Sequence, residues 1–591
     1  MYDRIPWQDY PSTAADSKAE TVLLAFTESE LQTITPKSAE QALRTKSADQ
    51  WREHLKNGTF GEEWPGPGPC PKPVPAGWVF KIKHRGAPIE EQDLLPKQFK
   101  ARVVIRGQFM KEGLDFNDTF APVAKPMTLR SVLAVATKNG YKLKAGDIET
   151  AFLSADMDCE VWVKMPAHWG SGTDKHISDH NADLAPRRLL KGVPGIPQGS
   201  RLFYDTLAAC LKEMGWLPSH ADQCLFLNSS LAEQTAVILW VDDFTFMHEH
   251  ENTWTTFLAQ LRKRFTITTV GDLSCFLGMD IKYDAAARSM TISQRNTINT
   301  LLERAGMLDC NPTSTPCAAN MVFSKQDCPE TPDPQSCTEY RKLVALANFI
   351  SNWTRPDITF TVNKLCKFMS NPGPVHWSAL KHLLRYLKGT LHLGLCYDFG
   401  QVPKVPGLHG YTDASFADCP DTSKSTIAYV FFYGGAILSW FSKLHTFVTT
   451  CTNHSEYAAL ACGAKEAQWL VYLFSELQPH TSHTPVPLFV DNSGIVSMVF
   501  NPVEHQSNKH IRISCHYARE LAHEKVIVPQ RVATEDNLAD MFTKPLGGVA
   551  FKAVVGHFVS SVTPADAKVC GKAPIAVIGQ DGSVRGGVLA A

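Results

Sequence analysis

Apolar positions along the chain follow two periods, and the switches between them mark its elements. The run Ala236–Met247 is interrupted by Asp242 and Asp243. Bulky and β-branched residues flank the pair, so the pattern predicts two strands with the aspartates at the turn between them. Upstream, Gly77–His84 and Lys100–Ile105 alternate and are expected to pair as a basic β-unit. A short strand from Tyr141 ends at Asp147. Helical spacing predicts helices over Thr128–Thr137, Leu202–Met214, Trp254–Phe265, Thr297–Ala305, Tyr340–Trp353 and His376–Lys388, with a short strand at Met290–Gln294. Asn311–Ser336, rich in Pro, Ser, Thr, Asn and Asp, reads as an interior linker. A second α/β segment begins near Leu408, and its long helix opens at Asn453 with an apolar face from Tyr457 to Leu477. Pro65–Pro75 is a proline-rich connector. Residues 1–50 are polar apart from a short amphipathic stretch, Ala39–Leu43, and the tail after Leu546 carries no motif.

The carboxylates are the candidate chemistry. Two aspartates beside a buried sheet repel each other and lose hydration, so they call for protons or a cation. Magnesium, which takes oxygen ligands and accompanies nucleotide phosphates, suits them. Asp147, at a strand end, supplies a third carboxylate. Acidic residues also serve as turn formers and helix N-caps, and spacing alone does not decide between these readings. The pattern recurs downstream, where Asp413 and Asp491 end apolar strands. Glu456 lies in the first turn of the long helix, and Asp540 near the start of a short one. A first-turn acid such as Glu456 also complements the helix dipole.

At 591 residues the chain exceeds one compact core, which points to about three to five domains. A composition 44% hydrophobic and 20% charged is that of a globular protein. The sequence has neither a signal-peptide core nor an apolar run of membrane length. Sixteen cysteines without a Cys-x-x-Cys exclude a zinc knuckle and suggest reduced, packed thiols in an intracellular protein. The net charge of −1 is low for a nucleic-acid binder, but the basic residues are concentrated. Eight Lys or Arg against three acids lie between Lys81 and Lys111, and a second basic cluster spans Lys381–Lys388.

Three motifs in order, Asp147-Ile-Glu-Thr-Ala-Phe-Leu, Val193-Pro-Gly-Ile-Pro-Gln198-Gly199 and Val241-Asp-Asp243, resemble the palm of a reverse transcriptase, most closely the copia-type polymerases of long-terminal-repeat retrotransposons. Phe99–Gly107, Thr119–Val123, Gly271–Gly278, Thr354–Ile358, Leu384–Thr390 and Asp540–Leu546 resemble the same group, so the likeness runs from roughly Trp51 to Leu546. Asp413, Glu456, Asp491 and Asp540, on strand, helix, strand and helix, resemble the site of a ribonuclease H.

This resemblance implies a multidomain α+β and α/β chain. A right-hand polymerase of fingers, palm and thumb would be followed by a ribonuclease H-like mixed-sheet domain. The expected divisions are a variable leader (1–50), fingers and palm (51–250), a thumb-like segment (251–310), linker and connection helices (311–405), the ribonuclease H-like domain (406–548) and a tail (549–591). The implied metal ligands are Asp147, Asp242 and Asp243 in one site and the other four carboxylates in the second. Each would hold two magnesium ions, with manganese as the alternative. Lys100 and Arg102 would meet the triphosphate and Gln198 the incoming nucleotide. Phe152 would exclude a ribose 2′-hydroxyl and Phe276–Gly278 would grip the primer; His510 reads as an exposed or packed histidine, with a part in product release as the alternative. Trp240 departs from the tyrosine more usual before Val-Asp-Asp.

Implied partners are an RNA template, a DNA primer, an RNA–DNA hybrid and deoxynucleoside triphosphates, in a cytoplasmic particle or the nucleus. The sequence lacks an aspartic-protease Asp-Ser/Thr-Gly and an integrase His/Cys head, so a fragment, a processed product or an element's relic is expected. The alternative function is that of a catalytically silent relic that only binds nucleic acid.

Overall fold

The computed structural model describes residues 59–63, 65–66, 72–83, 98–165, 185–500 except 232, 320 and 402–404, 513–561, 576–578 and 584–586. Ala39–Leu43 and His510 lie outside these residues, as does part of the proline-rich connector.

The expected basic β-unit forms the edge of a first sheet. It comprises β1 (Phe60–Glu63), β2 (Val74–Lys83), β3 (Gln98–Ile105), β5 (Asp156–Lys164) and β6 (Arg187–Lys191), ordered β1-β6-β5-β2-β3. β2 and β3 are antiparallel, with Lys81 opposite Lys100 and Val79 opposite Arg102. β2 begins earlier than the alternation suggested, at Val74.

A second sheet is built around the hairpin. Its strands are β4 (Lys142–Ile148), β7 (Leu217–Pro218), β8 (Leu225–Leu227), β9 (Ala236–Trp240), β10 (Asp243–His248) and β11 (Ile267–Asp272), ordered β11-β4-β10-β9-β8-β7. Helix α1 (Pro126–Asn139) leads into β4, and helices α2 (Gly199–Glu213) and α3 (Glu251–Leu261) pack with the sheet. α1 starts on Pro126 at its first turn and stops at Gly140, whose φ of 71° ends the helix in the left-handed conformation.

The third sheet joins distant parts of the chain. β12 (Cys275–Phe276), β13 (Met279–Asp284), β14 (Ser289–Ser293), β15 (Leu393–Asp398) and β21 (Ser560–Ser561) lie in that order. Residues from the stretches expected to be thumb-like segment, connection and tail therefore share one sheet. Residues 548–561 are packed: Phe551 meets Tyr386 edge-on at 5.7 Å, and Phe558 meets Phe542 at 5.3 Å. The linker is packed as well, burying Cys317, Met321 and Phe323. Its apolar residues follow neither a helical nor a strand period, so the pattern could not reveal their burial.

Between these strands lie α4 (Arg295–Arg304), α5 (Pro334–Trp353), α6 (Thr359–Cys366) and α7 (Pro374–Gly389). Two of the family-like motifs meet here. Arg355 and Asp357 are buried as a forked ion pair, with Nη2–Oδ2 at 2.7 Å and Nε–Oδ1 at 2.9 Å. Tyr386 donates to Asp357 at 2.7 Å, and Arg355 donates to the Thr390 carbonyl and hydroxyl. Thr354–Ile358 and Leu384–Thr390 are thus two halves of one buried polar network. Losing one charge of such a pair costs about 3–5 kcal/mol.

The fourth sheet contains β16 (Leu408–Ser415), β17 (Thr426–Tyr433), β18 (Ala436–Leu444), β19 (Val486–Val490) and β20 (Ile527–Arg531), ordered β18-β17-β16-β19-β20. The first three are antiparallel, whereas β19 and β20 run parallel to their neighbours. Helices α8 (Thr452–Leu477), α9 (Ser493–Phe500), α10 (Ile513–His523) and α11 (Gly548–Val555) complete this part.

The second and fourth sheets are joined directly. Arg130 of α1 is buried over the Trp440 ring at 4.0 Å and donates to the Leu438 carbonyl at 2.5 Å and the Asn352 carbonyl at 2.8 Å. Burial lowers its pKa to about 10. The loop before β8 docks on α8, where Glu476 accepts from the His220 backbone at 3.0 Å and Trp469 donates to Ala221 at 2.9 Å. One cluster of buried side chains runs from Ala124 to Val559.

Candidate active sites

The first site is assembled on β4 and the β9–β10 turn. Asp147 lies opposite Asp243 in the β4–β10 register and opposite Thr268 of β11 on the other side. Trp240 pairs with Asp243, so Val241 and Asp242 form a two-residue turn. The Ile148 N–H donates to the Asp242 carbonyl at 2.9 Å and ties that turn to β4. Val241 has a φ of 55°, a left-handed conformation that a β-branched residue adopts only under strain. Asp242 is exposed, while Asp147 and Asp243 are half-buried. Thr268 donates to Asp147 Oδ2 at 3.3 Å. The close approach of β10 explains Gly146: a Cβ there would sit 2.5 Å from the Phe244 ring.

Trp240, the departure noted above, packs edge-on to Trp353 with ring centres 5.2 Å apart, tying the hairpin to α5. Phe152 is half-buried and lies edge-on to Phe203 at 6.3 Å. Gln198 does not face an open site. It is 0% exposed at the start of α2, and its Nε2 donates to the Asp115 carbonyl at 3.1 Å. The structure thus packs its amide against Asp115, where the sequence suggested a residue near the nucleotide. Lys100 and Arg102 belong to β3, with side chains outside the described residues. Leu277 and Gly278, both at positive φ, make the tight turn between β12 and β13. In the second basic cluster, Arg385 is tied to the Asn311 carbonyl at 2.7 Å.

The second site is more enclosed. Asp413 is 0% exposed near the end of β16, beside the parallel β19. Carrying their register onward places Asp413 level with Asp491. Glu456 is the fifth residue of α8 and lies in its second turn, because the helix begins at Thr452, earlier than the first-turn placement expected from sequence; it is 6% exposed. Asn492 donates to Asn453 at 2.9 Å and fastens the start of that helix to the end of β19. One carboxylate oxygen from each of Asp413, Glu456 and Asp491 lies within 4.8 Å of the others. Asp540 adds a carboxylate from a 3-10 turn, Leu538–Phe542.

The electrostatics follow from that enclosure. Burial, then repulsion by Asp413 and Asp491, pushes the Glu456 pKa up to about 9. Burial and Asp413 push Asp540 up to about 7, and the same causes raise Asp491. Thr543 and Lys544 were missed from sequence. Thr543 donates to Asp413 Oδ2, while Lys544 Nζ lies 3.4 Å from that oxygen and 3.2 Å from Asp540 Oδ2. The available signal was their position three and four residues after Asp540, on one face of a helical turn. Burial opposes the charge on Lys544, but Asp413 and Asp540 outweigh it and raise its pKa.

The donor set fits a divalent cation. Asp413 Oδ1 and Asp540 Oδ1 are buried and have no hydrogen-bond partner among the described residues. A further cluster, Glu233, Glu249 and His250, is a helix cap: Glu233 accepts from the Glu249 and His250 backbone N–H groups before α3.

Taken together, the sheets and sites describe a mixed α/β chain with two strand-borne carboxylate clusters. Residues 69–319 match the family model described as reverse transcriptase (RNA-dependent DNA polymerase). The chain is 32% identical over 524 residues to the retrovirus-related Pol polyprotein from transposon RE2 of Arabidopsis thaliana, covering 88% of this chain and 34% of that one. It is 31% identical over 478 residues to the Pol polyprotein from transposon TNT 1-94 of Nicotiana tabacum, covering 80% and 34%. The chain belongs to the copia-type retrotransposon reverse transcriptase family. It spans about a third of the length of those relatives. Among solved structures, a foamy viral protease-reverse transcriptase in complex with double-stranded DNA aligns with 90% of this chain and 84% of its own, at 11% identity and a TM-score of 0.41. That likeness is too distant to bear on function. No described helix is long and apolar enough to cross a membrane.

Proposed function

We propose that this chain is an RNA-directed DNA polymerase joined to a ribonuclease H, copying element RNA into DNA and degrading RNA in the resulting hybrid. The observation that carries the reading is the placement of Asp147 opposite Asp243 beside the exposed Asp242 turn, in a chain of this family. In this reading the first sheet serves as fingers, the second as palm and β12–β14 as part of a thumb.

Asp147 and Asp242 hold the metal ions of the polymerase, with Asp243 in support. Asp413, Glu456, Asp491 and Asp540 hold those of the nuclease. When bound, magnesium supplies charge for phosphoryl transfer and makes the attacking hydroxyl or water more acidic. The protein's part is to position. The exposed Asp242 turn leaves room for a primer end and a triphosphate, and Lys100 and Arg102 meet that triphosphate. Phe152, braced against Phe203, limits space at the sugar. Gln198 supports this pocket from below through Asp115.

The nuclease carboxylates are already close together, so only the hybrid's RNA strand must be brought to them. The 2′-hydroxyls of that strand distinguish it from DNA. Magnesium-dependent extension of a DNA primer on poly(rA), followed by cleavage of the hybrid formed, tests the reading. Full-length protein that does neither would refute it.

A further inference from the structure

Lys544 holds an unusual position. Its N–H donates to the Asp540 carbonyl at 3.0 Å, which fixes it one helical turn after that residue. From there its ammonium reaches Asp540 at 3.2 Å and Asp413 at 3.4 Å, while the side chain remains 38% exposed. The site's two edges are therefore unequal. Asp413, Glu456 and Asp491 are drawn close together, and Lys544 touches this group only at Asp413. The Asp413–Asp540 edge already contains a positive charge. Both residues nevertheless keep Oδ1 buried without a partner among the described residues, so each has an acceptor in reserve.

We infer that Lys544 is a tethered counter-cation that competes with the second metal ion for the Asp413–Asp540 edge, so that the two metal positions fill in sequence. This rests on the ribonuclease H reading above. The first ion enters the Asp413–Glu456–Asp491 edge. The second enters only as the ammonium swings outward, which its partial exposure permits. Lys544 thereby keeps the edge compensated when metal is scarce and raises the metal concentration at which the site is complete. It acts through the carboxylates and is a positioning residue.

The test uses the full chain and manganese alone, with binding followed by calorimetry and by the loss of free-ion paramagnetic signal. Wild type is expected to show a tight and a weak event at this site, both absent in Asp413→Asn. Lys544→Gln should strengthen the weak event by about tenfold or more and the tight one by much less, because the weak site loses a charge held by both of its carboxylates and the tight site one held only through Asp413. Lys544→Arg, which keeps the charge, should stay within about twofold of wild type. A purely structural lysine would not give this pattern.

A second measurement needs no variant. Acylation of Lys544 by an amine-reactive reagent, read by mass spectrometry, should rise as the weak event saturates. Unchanged reactivity, or a weak event no tighter in Lys544→Gln, would overturn the role of Lys544 alone. Manganese binding that is the same in wild type and Asp413→Asn would instead overturn the metal site and this inference together.

Discussion

The two carboxylate clusters are built alike at the strand and differently at the surface. Each lead aspartate follows a glycine that lies beneath a cross-strand phenylalanine. Gly146 pairs with Phe244 one residue before Asp147, and Gly410 pairs with Phe431 three residues before Asp413. In both places a Cβ would sit 2.5 Å from the aromatic ring. Beyond that the designs diverge. Asp242 stands exposed on a strained turn, and the oxygens of Asp147, Asp242 and Asp243 do not form a group within 4.8 Å, whereas those of Asp413, Glu456 and Asp491 do. An open cluster can be completed by incoming phosphates. An enclosed cluster must manage its own repulsion, and here it does so with raised carboxylate pKa values and Lys544.

The sharpest contrast concerns the enclosed site. Asp413→Asn should reduce cleavage of RNA in an RNA–DNA hybrid by about a thousandfold or more, since a metal charge at a phosphoryl-transfer site is worth several kcal/mol. Hybrid binding should change little, and single-stranded RNA and duplex DNA should remain uncut by either protein. A gel cleavage assay in a nuclease-free preparation checks this; persistent cleavage would remove the contrast.

A change in the shared framework should affect both sites together. Asp357→Asn leaves Arg355 buried without its charge partner and should cost about 3–5 kcal/mol. Urea denaturation should show the loss, and polymerase and nuclease activities should fall at the same denaturant concentration. Separate midpoints would mean that the two regions unfold independently.

Acid should weaken the fourth sheet. His409 is buried against Phe432 and is held neutral, its pKa lowered to about 4 by burial. Its unfolded value is about 6.5, so the unfolded chain takes up a proton that the folded one refuses. Stability is therefore intact above about pH 6.5 and is lost progressively down to about pH 4, by about 3 kcal/mol in all. Hydrogen exchange across β16 should accelerate through that window in wild type and less in His409→Phe. Equal acceleration in both would exclude His409 as the cause.

The smallest expected effect is at the sugar. Phe152→Val should admit ribonucleotides about tenfold to a hundredfold more readily, the scale of a steric pocket change. Single-nucleotide incorporation measures it. Unaltered discrimination would make Phe152 a packing residue against Phe203.

What could be read from the sequence depended on whether a feature leaves a periodic trace. Strands that end in an aspartate stand out because apolar runs stop there, which located Asp147, Asp413 and Asp491 at strand ends. The 236–247 hairpin and the α8 stripe were visible for the same reason. Residues whose role comes from packing across the chain left no such trace. Gln198 looked like a contact residue because its burial depends on Asp115, 83 positions away. Lys544 reaches Asp413 from a turn 131 residues later, a relation visible only after folding. The linker's Cys317, Met321 and Phe323 and the tail's Phe551 and Phe558 are core residues at irregular intervals.

The central claim is that one chain carries two separate metal-carboxylate sites with different tasks. Asp242→Asn in the full-length protein tests it most directly, with primer extension and hybrid cleavage measured on the same preparation. Extension should fall by about a thousandfold or more while cleavage stays within about threefold of wild type. Extension at the wild-type rate, or cleavage lost in parallel, would contradict the claim.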